Sequence, residues 1–226
     1  LQGNLKDSIE QIVIVGDGEL EFGNSLGGKF KALKSIVATD GAIVRFGGGS
    51  FEKCPLLKEV SCYIEEVRGG AFADSGMTEI TIANPGGTVS IGRAFAFGST
   101  EANLTNVKFD AANVILYDDC FYNTPITELV NPSGELTFAV SDGQSYYGPF
   151  GTIDINETLR KISAKDGVNI NAALGQRTWG QLKNLETVEN IKALCENALS
   201  YCPNLKNVTF MQGANITEIP ASSFNG

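Results

Sequence analysis

A short motif, apolar-x-x-apolar-x-apolar, recurs at a nearly constant spacing along the chain, and no other feature narrows the fold as much. Its copies are Ile9/Ile12/Ile14, Leu33/Ile36/Ala38, Leu57/Val60/Cys62, Met77/Ile80/Ile82, Leu104/Val107/Phe109, Leu185/Val188/Asn190 and Leu205/Val208/Phe210, with weaker copies beginning at Ile126 and Leu159. The first and last copies start 196 residues apart with eight intervals between them, a mean of 24 to 25 residues. That is a solenoid period, because a unit of this size cannot bury its own apolar side and must stack on its neighbours. The apolar positions ending each copy alternate with polar residues such as Ser61, Thr81, Lys108 and Thr209. A period of two marks a strand with one buried face, so each copy predicts one short strand.

A second element precedes the strand. In Phe51-Glu-Lys-Cys54-Pro-Leu-Leu57, Leu199-Ser-Tyr-Cys202-Pro-Asn-Leu205 and Trp179-Gly-Gln-Leu182-Lys-Asn-Leu185, a large apolar anchor is followed by apolar residues three and six positions on. This spacing fits one helical or 3-10 turn. Five residues before the anchor stands another apolar residue, as Phe46, Val67, Leu116, Leu194 and Ile219 stand before Phe51, Phe72, Phe121, Leu199 and Phe224. The stretches Asn84-Pro-Gly-Gly-Thr-Val89-Ser-Ile91 and Asn131-Pro-Ser-Gly-Glu-Leu136-Thr-Phe138 match position by position and predict the same turn between strands. The fold class expected is therefore a repeat solenoid, mainly β with short helical or 3-10 turns, of about nine coils.

The stretches Val67-Arg-Gly-Gly-Ala-Phe72-Ala-Asp-Ser-Gly-Met77-Thr-Glu-Ile80-Thr-Ile82 and Leu194-Cys-Glu-Asn-Ala-Leu199-Ser-Tyr-Cys202-Pro-Asn-Leu205-Lys-Asn-Val208-Thr-Phe210 resemble the BspA-like leucine-rich repeats. The resemblance runs from about Ile9 to Phe224. It implies a leucine-rich-repeat solenoid, and it implies an exported bacterial surface protein serving adhesion or recognition. It carries no shared catalytic residues. The chain departs from the pattern at residues 139 to 175, where the repeats lengthen.

Composition removes several functions. A net charge of −9 with a pI near 4.6 argues against nucleic acid and anionic membrane as partners, because both are held through clustered Lys and Arg. No apolar run reaches the roughly 20 residues of a spanning helix, and Leu1 to Glu10 lacks a signal-peptide pattern. With no histidine, the commonest general base and metal ligand is missing, and no catalytic, cofactor or metal residues are expected. Five cysteines, Cys54, Cys62, Cys120, Cys195 and Cys202, show no CxxC spacing. Cys54 and Cys202 share one repeat position, and the repeat register places the five in separate layers as reduced, structural thiols.

No linker divides the sequence, so residues 1–226 are expected to form one solenoid, with 1–25 an N-terminal repeat or cap, 139–158 an insertion, and a C-terminal end that stops within a repeat. An open solenoid end exposes strand edges, so the C-terminal edge is expected to be covered by further sequence or by an end-to-end or subunit contact. Insertions leave the coil at a surface, and Tyr146 and Tyr147, between Gly and Pro, are the tentative ligand-binding pair; the alternative has them covering the neighbouring coil. Adjacent Asp118 and Asp119 read as a solvated turn, Trp179 as a core anchor, and Asn103, Asn156, Asn207 and Asn215 as sequons of consequence only in a secreting eukaryote.

The function expected is a non-catalytic recognition or adhesion module for a protein or glycan at a bacterial cell surface. Two alternatives stand beside it. One is an accessory lipoprotein of an outer-membrane assembly, its lipidated cysteine upstream of Leu1. The other is a parallel β-helix enzyme acting on polysaccharides, which would need carboxylates in register; Asp110, Asp119 and Asp142 do not fall so.

Overall fold

The computed structural model describes residues 7–26, 30–92, 97, 103–122, 124–140, 158–174 and 182–225. Its elements are strands: β1 (Gln11–Ile14), β2 (Glu19–Phe22), β3 (Ser35–Ala38), β4 (Ile43–Phe46), β5 (Glu59–Ser61), β6 (Tyr63–Val67), β7 (Glu79–Ile91), β8 (Asn106–Leu116), β9 (Glu128–Asn131), β10 (Glu135–Phe138), β11 (Lys161–Ile170), β12 (Thr187–Leu194) and β13 (Asn207–Phe210). Every pairing among the described residues is parallel, and paired strands come from successive coils, as Gln11 beside Ser35 and Ser35 beside Glu59. The repeat motif supplies the first strand of each coil, in nine segments: β1, β3, β5, β9, β13 and the opening halves of β7, β8, β11 and β12. Eight of these lead into a second strand, and those eight form an unbroken ladder from β2 to β12, seven full turns of the coil.

Burial follows the period-two pattern. Ile80 and Ile82 in β7, and Val107 and Phe109 in β8, are buried, while Glu79, Thr81, Asn106 and Lys108 face out. Between the two strand walls runs the anchor column. The rings of Phe51, Phe72, Phe97 and Phe121 stack at centroid separations of 6.0, 5.5 and 5.6 Å. Anchor N–H groups donate to the carbonyl just before the next anchor, as Phe51 to Ala71 (2.8 Å), Phe97 to Cys120 (3.0 Å) and Leu199 to Ser223 (2.8 Å).

The anchor turn expected from the spacing takes the form of isolated i to i+3 bonds; no helix is among the elements of the described residues. The i to i+3 bonds of such a turn are present, as Leu57 N–H to the Cys54 carbonyl and Leu205 N–H to Cys202. They cannot propagate, because the anchor is bracketed by left-handed residues. Two positions before it lie Gly49, Gly70, Asp119, Asn197 and Ser222, and two positions after it lie Lys53, Asp74 and Tyr201, all with φ between 53° and 71°. A positive φ breaks a right-handed helix and turns the chain, and glycine, Asn and Asp accept it most readily.

The coil that holds Trp179 has a longer spacing than the others. The anchor bond in its coil is made by Leu174, whose N–H donates to the Ala198 carbonyl at 2.9 Å and whose side chain is buried; Trp179 lies outside the described residues. Leu174 precedes Leu182 by eight positions, where Phe51 precedes Cys54 by three, so additional chain separates anchor and strand here. Spacing alone favoured the nearer aromatic.

The paired Asn-Pro turns behave alike. Asn84 Nδ2 donates to the Thr88 carbonyl (3.3 Å) and Asn131 Nδ2 to Glu135 (2.7 Å), each bridging four residues across the corner. Asn190, the polar residue in an otherwise apolar motif position, donates Nδ2 to the Ala164 carbonyl of the preceding coil at 3.0 Å. The terminal coils are less covered: Val13, Val15, Phe210, Ile219 and Phe224 are exposed.

Candidate functional site

The first-strand ladder, unlike the second, is interrupted. β1, β3 and β5 form a sheet of their own, and no pairing joins β5 to the opening half of β7 or β8 to β9 among the described residues. At each interruption the outer face of this wall opens into a groove. The groove at β5 takes up about 530 Å³ over Lys58, Glu59, Ser61, Cys62 and Tyr63, flanked by Ala38, Thr39 and Gly41 of the preceding coil on one side and by Glu79, Thr81 and Ala83 of the next on the other. The groove at β8/β9 encloses about 730 Å³, with Asn106, Lys108 and Asp110 facing Glu128, Val130 and Pro132. Both volumes are in the range of ligand sites, about 300 to 1,000 Å³. Thr81 and Lys108, paired neighbours on β7 and β8, border both grooves and form the ridge between them.

The physical origin of the first opening lies in its corners. From Ile36 to Val44, the paired inward residues of the first and second strands, the chain takes eight residues, and from Ile80 to Val89 nine; from Val60 to Ile64 it takes only four. The short corner turns β5 directly into β6 between two coils with wider bends, which leaves the concavity over it, while Ile36 and Val60 stay paired on one side and Tyr63 and Ala83 on the other. At the second opening Asn131 reaches across, its Nδ2 donating to the Ala111 carbonyl at 3.0 Å, and Ser133 donates its hydroxyl to Asp110.

The electrostatics of the face are balanced and local. Lys108 lies 3.9 Å from Glu79, at the edge of ion-pair distance. On the second wall Arg45 joins Glu19 and Glu65 across coils, and Arg68 joins Glu21 across coils and Glu66 within its own. Farther along, Lys192 crosses over β11 to Glu135, a path that requires a glycine beneath it, since a Cβ on Gly167 would stand 2.8 Å from that of Lys192. Asp40, at the corner of the second coil, is held below the usual carboxylate range by hydrogen bonds from the Thr39 hydroxyl and the Gly16 amide.

The cysteines lie within or against the core. None of the five, all among the described residues, is in a disulfide. Cys54 and Cys202 each direct Sγ to the carbonyl two residues back, at 3.8 and 3.7 Å, and so occupy equivalent places as their spacing predicts. Burial pushes the Cys62 and Cys202 thiols up to about 12, and raises Cys120 and Cys195 as well. A thiol so shifted carries little thiolate near neutrality.

The residues singled out by sequence fall in different places. Tyr146 and Tyr147 lie outside the described residues, as do Asp142 and Asn156. Asp118 is buried, which corrects the solvated turn expected of it: the residue follows Leu116 and Tyr117 into the anchor turn, and only Asp119, at φ 58°, is partly exposed. Asp110 is on the outer face of β8 and Asp119 in the anchor turn, with the second strand between them, so the two carboxylates share no site. Asn207 and Asn215 are exposed and Asn103 is half-buried. Neither groove was singled out by sequence, because each arises between coils; the one local signal is the missing corner between Val60 and Ile64.

The family model for the BspA type leucine rich repeat region matches residues 29–141 and 170–226, in six copies. The interval between the matches overlaps the 139–158 stretch where the period lengthens. No curated protein and no solved structure matches the chain.

Proposed function

The chain belongs to the BspA-type leucine-rich-repeat family, and from that premise we propose that it is a non-catalytic recognition module which binds a protein or glycan at a cell surface through the outer face of its first strands. The observation that carries this reading is the pair of grooves meeting at the Thr81–Lys108 ridge. A flat, fully paired parallel sheet offers side-chain tips alone, whereas this face offers two concavities of ligand size with polar and charged groups converging on them. Adhesion and export accompany this reading as expectations of the family. Tyr146 and Tyr147 stand in it as a second contact, on the strength of the sequence. The ridge is tested by binding the chain to arrayed matrix proteins and glycans, alongside Thr81→Arg and Lys108→Glu variants. The reading expects the variants to lose at least one binder at an unchanged melting temperature. Identical binding profiles for all three proteins would refute it.

A further inference from the structure

We infer that the groove over β5 is a binding site for a neutral sugar, whose ring packs on the side chain of Tyr63. This deepens the proposed function and rests on the same face. The coil that carries β5 is shorter than its neighbours: Leu57 to Met77 takes 20 residues, against 24 from Leu33 to Leu57 and 27 from Met77 to Leu104. The residues it lacks are those of its corner, and the concavity lies over their place. Tyr63 stands there, 40% exposed and part of the groove lining. One edge of its ring lies against Gly41, where a Cβ would stand 3.4 Å from Cε2. Its strand partner in the next coil is Ala83, too small to cover the ring.

The polar side chains around that ring are uncommitted. Elsewhere on the same wall outward side chains bind one another across coils, as Lys34 with Glu10, Gln11 with Ser35, Arg160 with Glu186 and Lys161 with Glu189. Lys58, Glu59, Ser61, Tyr63 and Thr81 all line the groove and are exposed, and their side chains make no hydrogen bond or ion pair among the described residues. They offer hydroxyl, carboxylate and ammonium groups, donors and acceptors, within one concavity. A sugar hydroxyl both donates and accepts, while the C–H face of the sugar ring is apolar, so an exposed aromatic side chain bordered by such groups answers both properties. The lining holds two cations, Lys58 and Lys108, and two carboxylates, Glu59 and Glu79. With the signs in balance the groove selects for neither an acidic nor a basic sugar. A partner protein suits it less, because a protein anchor fills a well-packed, fully desolvated pocket, and here Thr39, Ser61, Thr81 and the four charges surround a single aromatic residue.

The test applies the intact chain to an array of neutral, sulfated and sialylated oligosaccharides and measures the captured class by calorimetry. Saturation-transfer NMR follows, in which irradiating the protein's aromatic protons marks those sugar protons that touch an aromatic ring; it uses the unaltered chain and does not depend on a variant folding. The expected result is capture of neutral oligosaccharides, with saturation of their ring C–H protons. Affinity should fall about tenfold or more in Tyr63→Ala and in Ser61→Arg, which crowds the groove, and less than about threefold in Tyr63→Phe, which keeps the aromatic face. Neutral sugars held equally by the parent chain, Tyr63→Ala and Ser61→Arg overturn the assignment to this groove; loss of the same binding in Lys108→Glu would leave the recognition face standing. Capture of sulfated or sialylated sugars alone overturns the neutral class. Absence of saturation transfer to any neutral sugar at millimolar concentration overturns the sugar assignment, and capture of a matrix protein in its place would leave the proposed function intact.

Discussion

The two strand walls of this solenoid are built from the same coils yet differ in continuity: the second ladder runs without a gap from β2 to β12, and the first is broken twice. The difference traces to what each strand is tied to. The second strand leads within a few residues into the anchor turn, whose stacked rings, left-handed residues and coil-to-coil amide bonds hold every coil at the same height. The first strand is separated from that column by a corner of variable length, and it is this ladder that parts, although unequal corners alone do not part it, since β3 and β5 stay paired across corners of eight and four residues. Regularity is thus concentrated on the side that stabilises the fold, and irregularity on the side available for recognition.

The largest test of this contrast removes an anchor. Phe72 is 1% exposed and packs between Phe51, Phe97 and Phe46. Phe72→Ala should cost about 3 to 5 kcal/mol in urea unfolding, whereas Ser61→Ala in the groove over β5 should cost less than about 0.5 kcal/mol. Comparable losses at the two positions would remove the distinction between the walls.

Next in size is the contact between the two coils ahead of β5 and β7. A Cβ on Gly76 would stand 2.0 Å from the Pro55 carbonyl oxygen, a backbone atom that cannot swing aside. Gly76→Ala should destabilise by about 1 to 3 kcal/mol and widen the β5/β7 opening, visible as faster amide exchange in β5. Unaltered exchange with unaltered stability would show that the coils are not pressed together at this point.

Asn131 sharpens the comparison between the two openings. It is fully buried and supplies Nδ2 to both Ala111 and Glu135, while Asn84 supplies one bond. Asn131→Ala should therefore cost about 1 to 2 kcal/mol and exceed Asn84→Ala, a ranking that melting of the two variants checks directly.

The smallest effects belong to the outer surface and to titration. Arg45→Gln, which severs exposed pairs to Glu19 and Glu65, should change stability by less than about 1 kcal/mol, and less at high salt. Cys62 should contribute no pH dependence near neutrality. Its thiol is raised from 9.0 to about 12 by burial, so the stability it carries is complete below the unfolded value and is lost as pH rises through the folded one. The difference in unfolding free energy between the parent chain and Cys62→Ala should stay constant up to about pH 9 and then shrink toward pH 12. A difference that stays constant over that window would mean that water reaches the thiol through the groove.

Much of this architecture is legible in the linear pattern. Alternation in Glu79-Ile-Thr-Ile82 and Asn106-Val-Lys-Phe109 assigns each side chain to a face because a strand has period two whatever it pairs with. The ring anchors, the equivalence of Cys54 with Cys202 and the matching Asn-Pro corners follow from the same local rules. The candidate grooves were not legible, and neither was the burial of Asp118. Tyr146 and Tyr147, the pair chosen by sequence, remain a proposal beside them.

What the sequence by itself determined is the repeat, the strand faces and the stacked family fold, since each rests on residues within one coil or on their recurrence. Only the tertiary structure decided that Leu174 makes the anchor bond in its coil, that left-handed residues stop the anchor turn short of a helix, and that the first ladder parts at β5/β7. Those outcomes depend on how one coil sits on the next. A four-residue corner between corners of eight and nine residues is an ordinary stretch of sequence in each coil, and it leaves a concavity only because the neighbouring coils are stacked on either side of it.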